Sequence, residues 1–308
     1  MQEDTHVSLR IFSFGGGVQS VAALVLAAQG KIPYQHFVFA NTGNDSENPD
    51  TLRYIRDVAI PFAKQHGLFI WETRRPGPTL YQRVTRPGNK FAGIPMRLPN
   101  GKPGRRGCTS DYKVKVLDKW LLDTCGIRKC LAWEQATTRR VVKRMKQQGI
   151  PCSYQLAKRA VIKHAPRPYA IVGMGISLDE FSRARQLAAT HWKALDYPLL
   201  RLRLTRDDCI AIIEAAGLPV PPKSACWFCP FKSLAAWQEL LEQKPAYFER
   251  AAELEDRFNQ NRRYKMWLTN KGMPLRQAMR VYAAQREVRE QSRRETEHPT
   301  CDGGHCWT

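Results

Sequence analysis

The chain opens with an alternation of apolar residues, then three glycines, then a long apolar run. Between residues 7 and 11 apolar side chains recur at every second position, which predicts a buried strand. From residue 18 to residue 29 small and apolar residues follow one another with few interruptions, as in a buried helix. The glycines therefore lie where a strand turns into a helix.

The same pattern continues along the chain. Residues 34–40 and 68–71 are predicted strands separated by a helix over 51–66, and residues 170–176 return to strand character. Residues 195–200 are predicted to be a last extended piece. This alternation predicts an α/β fold, namely a Rossmann-like, doubly wound and mostly parallel sheet. We expect a nucleotide-binding domain over residues 1–205 and a helical C-terminal region over 206–308 with a mobile tail.

The glycine turn is a candidate phosphate site. Backbone amides and the positive end of a helix meet there, and glycine lets a ligand approach the backbone closely. The alternative is an ordinary flexible turn. No Gly-Lys-Ser/Thr follows, so this is not a Walker A loop, and the GxGxxG dinucleotide pattern is absent. The candidate residues are Ser13, Phe14, Gly15, Gly16, Gly17, Val18, Gln19 and Ser20.

A polar loop follows the second predicted strand. It contains Asn41, Thr42, Gly43 and Glu47. Ligands bind at the carboxyl ends of strands in open parallel sheets, so this loop is a second candidate contact for the same ligand.

Charge favours a polyanionic partner. The 308 residues carry a formal net charge of +21. Between residues 126 and 169 there are eleven Lys or Arg residues and one acid, Glu134. This block is predicted to form two helices split near Gly149, inserted into the fold at about 126–170. A solvated charged face is the alternative to nucleic-acid (tRNA or DNA) binding.

Other bulk properties bear on location. There is no long apolar run, so we expect no membrane span, and the polar first ten residues predict no secretory signal. A cytoplasmic protein is the expectation. Nine cysteines in such a chain favour metal or redox chemistry over disulfides.

Two groups of cysteines carry candidate chemistry. Cys226 and Cys229 are spaced to bind one metal ion, and Cys108 is a natural third ligand. A tetrahedral zinc site and ordinary buried cysteines are both compatible with these three residues. Cys301 and Cys306 lie in the tail beside His305, where a thiol would be an accessible nucleophile, or else incidental.

The order of these features resembles the phosphoadenylyl-sulfate (PAPS) reductase-like branch of the PP-loop ATP pyrophosphatase superfamily. The glycine turn is similar to its Ser-Gly-Gly-x-Asp-Ser loop, with Gly15 for the first Ser and Gln19 for the Asp. The loop at Asn41 resembles its Asp-Thr-Gly-x-Glu stretch. The later matching segments begin at Cys108, Val172 and Cys226.

The resemblance implies an adenine nucleotide (ATP or PAPS) held by the glycine turn and the Asn41 loop, with Mg²⁺ as a further candidate. It implies contacts from Gly173 and Glu180, and Arg183 at the phosphate or sulfate end. It also implies a [4Fe–4S] cluster on Cys108, Cys226 and Cys229, with zinc as the rival.

Three functions remain open from the sequence. One is ATP-dependent thiolation of a nucleic acid, with a sulfur donor. The second is reduction of an adenylyl-sulfate by a tail cysteine, Cys301 or Cys306, with a thiol reductant. The third is a nucleotide- or nucleic-acid-binding protein without catalysis, because Gln19 and Asn41 both replace an acid of the family pattern.

Overall fold

A computed structural model describes residues 7–87, 93–124, 127–164, 169–184, 192–260 and 263–297. The side chains of residues 7, 8, 127, 129, 130, 162–164, 169 and 293–297 are not described. The tail residues Cys301, His305 and Cys306 lie outside the described residues, so the prediction of a tail nucleophile rests on sequence alone.

A five-stranded sheet forms the first part of the fold. Its strands are β1 (Val7–Phe14), β2 (His36–Asn41), β3 (Phe69–Arg74), β4 (Tyr169–Met174) and β5 (Lys193–Asp196). Their spatial order is β3-β2-β1-β4-β5, and each neighbouring pair is parallel. The predicted doubly wound parallel sheet is confirmed.

The order of the strands reverses at β1. The chain proceeds from β1 outward through β2 to β3, and then crosses to β4 on the other side, where Ile11 pairs with Val172 and Ser13 with Met174. Open α/β sheets bind ligands at the carboxyl ends of the strands flanking such a switch point. The glycine turn directly follows β1 at this edge.

Helices flank the sheet and continue beyond it. The α-helices are α1 (Val18–Ala28), α2 (Pro49–Tyr54), α3 (Ile60–Gln65), α4 (Leu80–Thr85), α5 (Gly107–Thr109), α6 (Lys115–Thr124), α7 (Ile127–Gln147), α8 (Tyr154–His164), α9 (Pro198–Arg201), α10 (Arg206–Ala215), α11 (Leu234–Gln243), α12 (Pro245–Asn259) and α13 (Leu275–Glu297). π-helical turns at Ile55–Ala59 and Ser110–Val114 and a 3-10 helix at Leu178–Arg183 complete the set.

The basic block forms two helices, as predicted. α7 and α8 pack on each other, and in the sequence they form an insertion between α6 and β4. The prediction of an extended segment over residues 195–200 is wrong for its second half. Pro198 begins helix α9 there. The N–H group at the first position of a helix has no partner within the helix, so proline loses nothing by lacking it, and the fixed φ of proline already suits a helix.

α1 is buried on almost all sides. Its small and apolar residues pack against Phe12 and Phe37 of the sheet and against Cys209 and Ile213 of α10. Burial raises the pKa of the Cys209 thiol to about 12, so this cysteine is a packing residue, as expected from its apolar surroundings in the sequence. This packing fixes the N-terminus of α1 at the end of β1.

The chain divides into two compact units. The first comprises Met1–Thr79 and Thr109–Ala225, and the second Leu80–Cys108 and Cys226–Thr308. The first holds the sheet, and the second is helical with a core that includes Trp227, Trp237 and Phe248. The division into domains at residue 205 stays a prediction. No helix in the described ranges is long and apolar enough to cross a membrane.

Candidate functional site

The glycine turn is closely packed. Gly16 has a φ of +69°, and a Cβ there would lie 2.7 Å from Ile55 Cδ1. A Cβ on Gly17 would lie 2.5 Å from Ser224 Oγ. Glycine is therefore needed both for the backbone conformation and for space, which distinguishes this turn from a merely flexible one.

Ser20 stabilises the turn from within. Its hydroxyl donates to the Gly17 carbonyl at 2.9 Å and accepts from the Gly17 amide at 3.1 Å. The amides of Ser20 and Val21 also donate to the Gly17 carbonyl. Ser20 thus caps α1, and its predicted contact with a nucleotide would have to compete with these bonds.

Other donors at the turn have no hydrogen-bond partner in the part of the chain that the structure describes. Within the described residues, the amides of Gly16, Val18 and Gln19 make no hydrogen bond. The hydroxyl of Thr51, a buried side chain beside Gly16, also lacks a partner there. Unpaired amides at a helix N-terminus suit an anion, because the helix dipole adds to the N–H groups. The turn therefore has the chemistry of a phosphate cradle.

Gln19 connects three segments at this edge of the sheet. Its Nε2 donates to Ser177 Oγ at 3.3 Å, after β4, and its Oε1 accepts from Arg206 Nη1 at 3.4 Å, at the start of α10. A Cβ on Gly175 would lie 3.4 Å from Gln19, so the chain after β4 passes close to α1. Ser177 and Arg206 could not be predicted as neighbours of the turn, because nothing in their local pattern relates them to residue 19.

Asn41 is held by three hydrogen bonds. Its buried Nδ2 donates to Asn44 Oδ1 and to Glu72 Oε1, both at 2.8 Å, and its Oδ1 accepts from the Gly43 amide at 2.8 Å. An aspartate could not donate either of the first two bonds. Glu72 of β3 therefore accounts for an asparagine at this position.

Glu47 holds the rest of the loop. Its Oε1 accepts from the Thr42 hydroxyl at 2.8 Å and from the Thr42 amide at 3.2 Å. Gly43 has a φ of +130°, and a Cβ there would lie 2.5 Å from Thr79 Cβ. The loop is therefore a rigid surface. The predicted contacts of Asn41, Thr42, Gly43 and Glu47 with a nucleotide stay predictions.

A cavity of about 400 Å³ opens beside this loop. Arg75 donates from Nη1 to Tyr112 Oη at 3.3 Å, and its guanidinium lies 5.2 Å from the centre of that ring. These residues were not among the candidates from the sequence, because the predicted strand ended at residue 71, whereas β3 continues to Arg74. The lining residues are Asn41, Thr42, Gly43, Arg74, Arg75, Pro76, Gly77, Thr79 and Tyr112.

The candidates in β4 and in the segment after it occupy two different environments. Gly173 lies within β4, where a Cβ would be 2.6 Å from Phe12 Cδ2, so packing alone requires glycine. Glu180 and Arg183 pair with each other at 2.5 Å, and the Arg183 side chain is 59% exposed. A contact of Arg183 with phosphate would require this ion pair to open.

Cys226 and Cys229 lie on one tight turn of the second unit. The Cys229 amide donates to the Cys226 carbonyl at 3.1 Å, and the two intervening rings, Trp227 and Phe228, are buried. Arg250 lies 5.0 Å from the centre of the Trp227 ring. The aromatic pair thus anchors the turn while both cysteines remain partly exposed.

Cys108 lies in α5, at the edge of the same unit. Across the described residues there is no group of three or more His, Cys, Asp or Glu side chains arranged to hold a metal ion. Cys108, Cys226 and Cys229 are therefore not brought together as a group of three ligands. The predicted [4Fe–4S] cluster, zinc and Mg²⁺ stay predictions.

The basic helices present cations to solvent. Arg139, Arg140, Lys143, Arg144, Lys146 and Arg159 are all at least partly exposed. The buried Glu134 lies 3.9 Å from Lys158. Trp133, which is 44% exposed, falls on the same side of α7 as Arg140 and Arg144, since they follow it by two and three helical turns. This surface has the charge expected of a nucleic-acid contact.

Comparisons with known proteins give no assignment. No protein-family model matches the chain, and no curated protein matches it. Among solved structures, the U34-tRNA thiolase NcsA from Methanococcus maripaludis with its [4Fe–4S] cluster aligns at 12% identity and a TM-score of 0.34, over 82% of this chain and 72% of that one. A likeness at this level supports no inference about residues or reaction. Membership of the PAPS reductase-like branch stays a prediction.

Proposed function

We propose that this protein is a cytoplasmic PP-loop enzyme that uses an adenine nucleotide to transfer sulfur to a nucleic acid. The observation that carries the proposal is the glycine turn at the switch point, with the unpaired amides of Gly16, Val18 and Gln19. Such a turn recognises phosphate by its backbone, so the residues that replace family acids do not abolish binding.

The nucleotide is proposed to span two neighbouring features of the first unit. Its phosphates would bind the amides of the turn, and its adenosine would lie toward the cavity beside Asn41, Thr42 and Gly43. Arg206, held against Gln19, supplies positive charge near the turn. Arg183 would stabilise charge developing at phosphorus after releasing Glu180.

The proposed reaction has two steps. A carbonyl oxygen of a base attacks the α-phosphorus of ATP, which adenylates the base and releases pyrophosphate. Hydrosulfide, as the sulfur donor, then attacks the carbon of that carbonyl group. AMP leaves and takes the former carbonyl oxygen with it, and loss of one proton from the sulfur gives the thiocarbonyl. The exposed cations of α7 and α8 support a nucleic acid as the acceptor, because they match the charge of a phosphate backbone.

The cysteines are kept apart from these steps. Cys108, Cys226 and Cys229 stay predicted ligands of a [4Fe–4S] cluster, and no step above passes through them. Iron, sulfide and zinc analysis after anaerobic purification tests that prediction, and a protein without bound metal would remove it. Reduction of a sulfonucleotide by Cys301 or Cys306 also stays a prediction.

Replacing Val18 with proline tests the proposed phosphate site. Val18 is the first residue of α1, where proline is well tolerated, and Gly17 before it is already extended, with φ −104° and ψ 177°. Val18→Pro removes one amide donor. Val18→Ala removes the same side chain and keeps the amide, so it is the matched control.

We expect Val18→Pro to weaken ATP binding by roughly ten-fold or more, since a hydrogen bond to a charged group contributes about 1.5–3 kcal/mol. Val18→Ala should bind ATP as the wild type does. Equal ATP affinities for Val18→Pro and Val18→Ala would show that the phosphates of ATP do not bind at the turn. Turnover is tested by incubating ATP, sulfide and bulk tRNA with the protein and measuring AMP, pyrophosphate and thionucleosides. ATP binding without any turnover would favour the binding protein.

A further inference from the structure

The edge strand β3 exposes two large aromatic side chains. Phe69 is 49% exposed and Trp71 is 44% exposed. They are two residues apart in a strand, so they lie on the same face of the sheet. Their rings are 6.1 Å apart and nearly parallel, with an interplanar angle of 22°. Exposed aromatic rings of this size on a sheet face suggest a binding surface.

Neighbouring rings hold this pair in place. His36 of β2 lies 5.4 Å from Phe69 and 6.2 Å from Trp71, and Trp71 Nε1 donates to His36 Nδ1 at 3.2 Å. Trp120 of α6 lies 6.3 Å from Trp71 and packs on the core beneath. We call His36, Phe69, Trp71 and Trp120 the aromatic strip. Because its rings are fixed by contacts, little side-chain entropy would be lost on binding a ligand.

Positively charged side chains lie next to the aromatic strip. A cavity of about 410 Å³ is lined by Trp120 together with Arg74, Arg75, Lys115 and Lys119. The two lysines pair with Asp111 and Asp123, while the arginines also line the cavity beside Asn41. The strip therefore leads through the two arginines toward the loop proposed to hold the nucleotide.

We infer that the aromatic strip and Arg74–Arg75 form a platform for an unpaired segment of a folded RNA. Bases would stack on Trp71 and Phe69, and phosphates would contact the arginines. Charge decides against a second copy of this chain as the occupant, because each copy carries +21 and would bring its own arginines to the contact. Duplex DNA is disfavoured because its bases are already stacked, whereas RNA loops present unpaired bases.

The inference rests on the proposed function in taking a nucleic acid as the acceptor, but it concerns where that acceptor is held. Loop-dependent RNA binding without ATP-dependent thiolation would refute the reaction and leave this surface standing. Thiolation that persists while changes to the strip leave RNA binding unaltered would refute this surface alone.

Binding of an RNA hairpin with an unpaired loop, compared with the same stem as a blunt duplex, tests the inference. Trp71→Ala should weaken hairpin binding by at least about five-fold, the lower end of the effect of losing one stacking ring. Trp71→Phe should retain most of the affinity, since it keeps a ring. Tyr264→Ala removes an exposed aromatic ring outside the strip and should change nothing. Duplex binding should be the same for all four proteins.

An unchanged hairpin affinity in Trp71→Ala would overturn the inference. So would a wild-type dimer, seen by sedimentation, that Trp71→Ala dissociates, because the strip would then be a contact between copies. If Trp71→Ala does not fold, crosslinking of the wild type to a hairpin with 5-bromouridine in its loop decides. Crosslinks at residue 36, within residues 69–75 or at residue 120 support the platform, and crosslinks confined to other segments contradict it.

Discussion

Gln19 donates a hydrogen bond from its side-chain amide to the Ser177 hydroxyl at 3.3 Å, across the switch point of the sheet. The bond joins the first turn of α1 to the segment after β4, although 158 residues separate the two. Its side-chain oxygen accepts a hydrogen bond from Arg206 Nη1, so Gln19 forms one rim of the proposed phosphate cradle. The side chain at this rim is therefore neutral.

A negative charge at this rim should weaken nucleotide binding. Gln19→Glu keeps the length of the side chain and its contact with Arg206, but it places a carboxylate beside the amides that would hold phosphate. We expect ATP affinity to fall by about three- to ten-fold at low salt, and by less at high salt, because repulsion between partly exposed charges is screened. Isothermal titration at two ionic strengths measures this.

Gln243→Glu is the matched control for charge. It makes the same substitution at the end of α11, in the second unit. An equal loss of ATP affinity in both variants would show that net charge, and not the position of residue 19, is responsible.

Introducing an acid at residue 41 should destabilise the fold. Asn41→Asp loses two donated hydrogen bonds and places a buried carboxylate 2.8 Å from the Glu72 oxygen. We expect unfolding free energy to fall by about 2–4 kcal/mol at pH 7, and by less at pH 5, where one of the two carboxyls can hold a proton. Urea denaturation at both pH values tests this.

Asn44→Asp provides the comparison, since it keeps the oxygen that accepts from Asn41 and lies at an exposed position. Its effect on stability should be below about 0.5 kcal/mol. A similar loss in both variants would mean that the bonds of Asn41 do not stabilise the loop.

Glu255 should make the stability of the second unit depend on pH. Burial raises the pKa of this carboxyl to about 7, although it accepts from the Leu268 and Leu275 amides, both at 2.6 Å. The folded state then holds a proton that the unfolded state has already lost between about pH 4.5 and pH 7. Stability from this group is present below pH 4.5 and is lost as pH rises through 7, by about 3 kcal/mol in all.

Glu255→Gln isolates that contribution, because glutamine does not titrate. Its unfolding free energy should vary less than that of the wild type between pH 5 and pH 8, measured by chemical denaturation. Parallel pH profiles for the two proteins would show that the pKa of Glu255 is not raised in the folded state.

The cations of α7 should contribute equally to the binding of RNA with and without unpaired loops. Replacing Arg140 and Arg144 together with glutamine should weaken hairpin and duplex RNA alike. The slope of log affinity against log salt should become shallower by about 0.7–0.9 for each phosphate that is no longer neutralised. Arg280 and Arg289 of α13 are exposed arginines in the second unit, and their double replacement is the control. Equal salt slopes for both double variants would remove α7 from the interface.

The pattern of residues that are close together in the sequence is enough to predict much of the fold. The strand, glycine turn and helix at residues 7–28 follow from alternation and propensity, which act over a few residues. The split of the basic block near Gly149 was predictable for the same reason. Cys226 and Cys229 were recognisable as a pair from their spacing alone, although their arrangement with Cys108 was not.

Contacts between distant segments decided the rest. Whether β4 lies beside β1 depends on sheet pairing over more than 150 residues, and the neighbours of Gln19 follow from it. Asn41 is explained by Glu72 on the adjacent strand, and the aromatic strip depends on β3 lying at an edge of the sheet. Propensity and spacing describe a residue's near neighbours in sequence, whereas burial, pKa and exposure depend on every segment that packs against it.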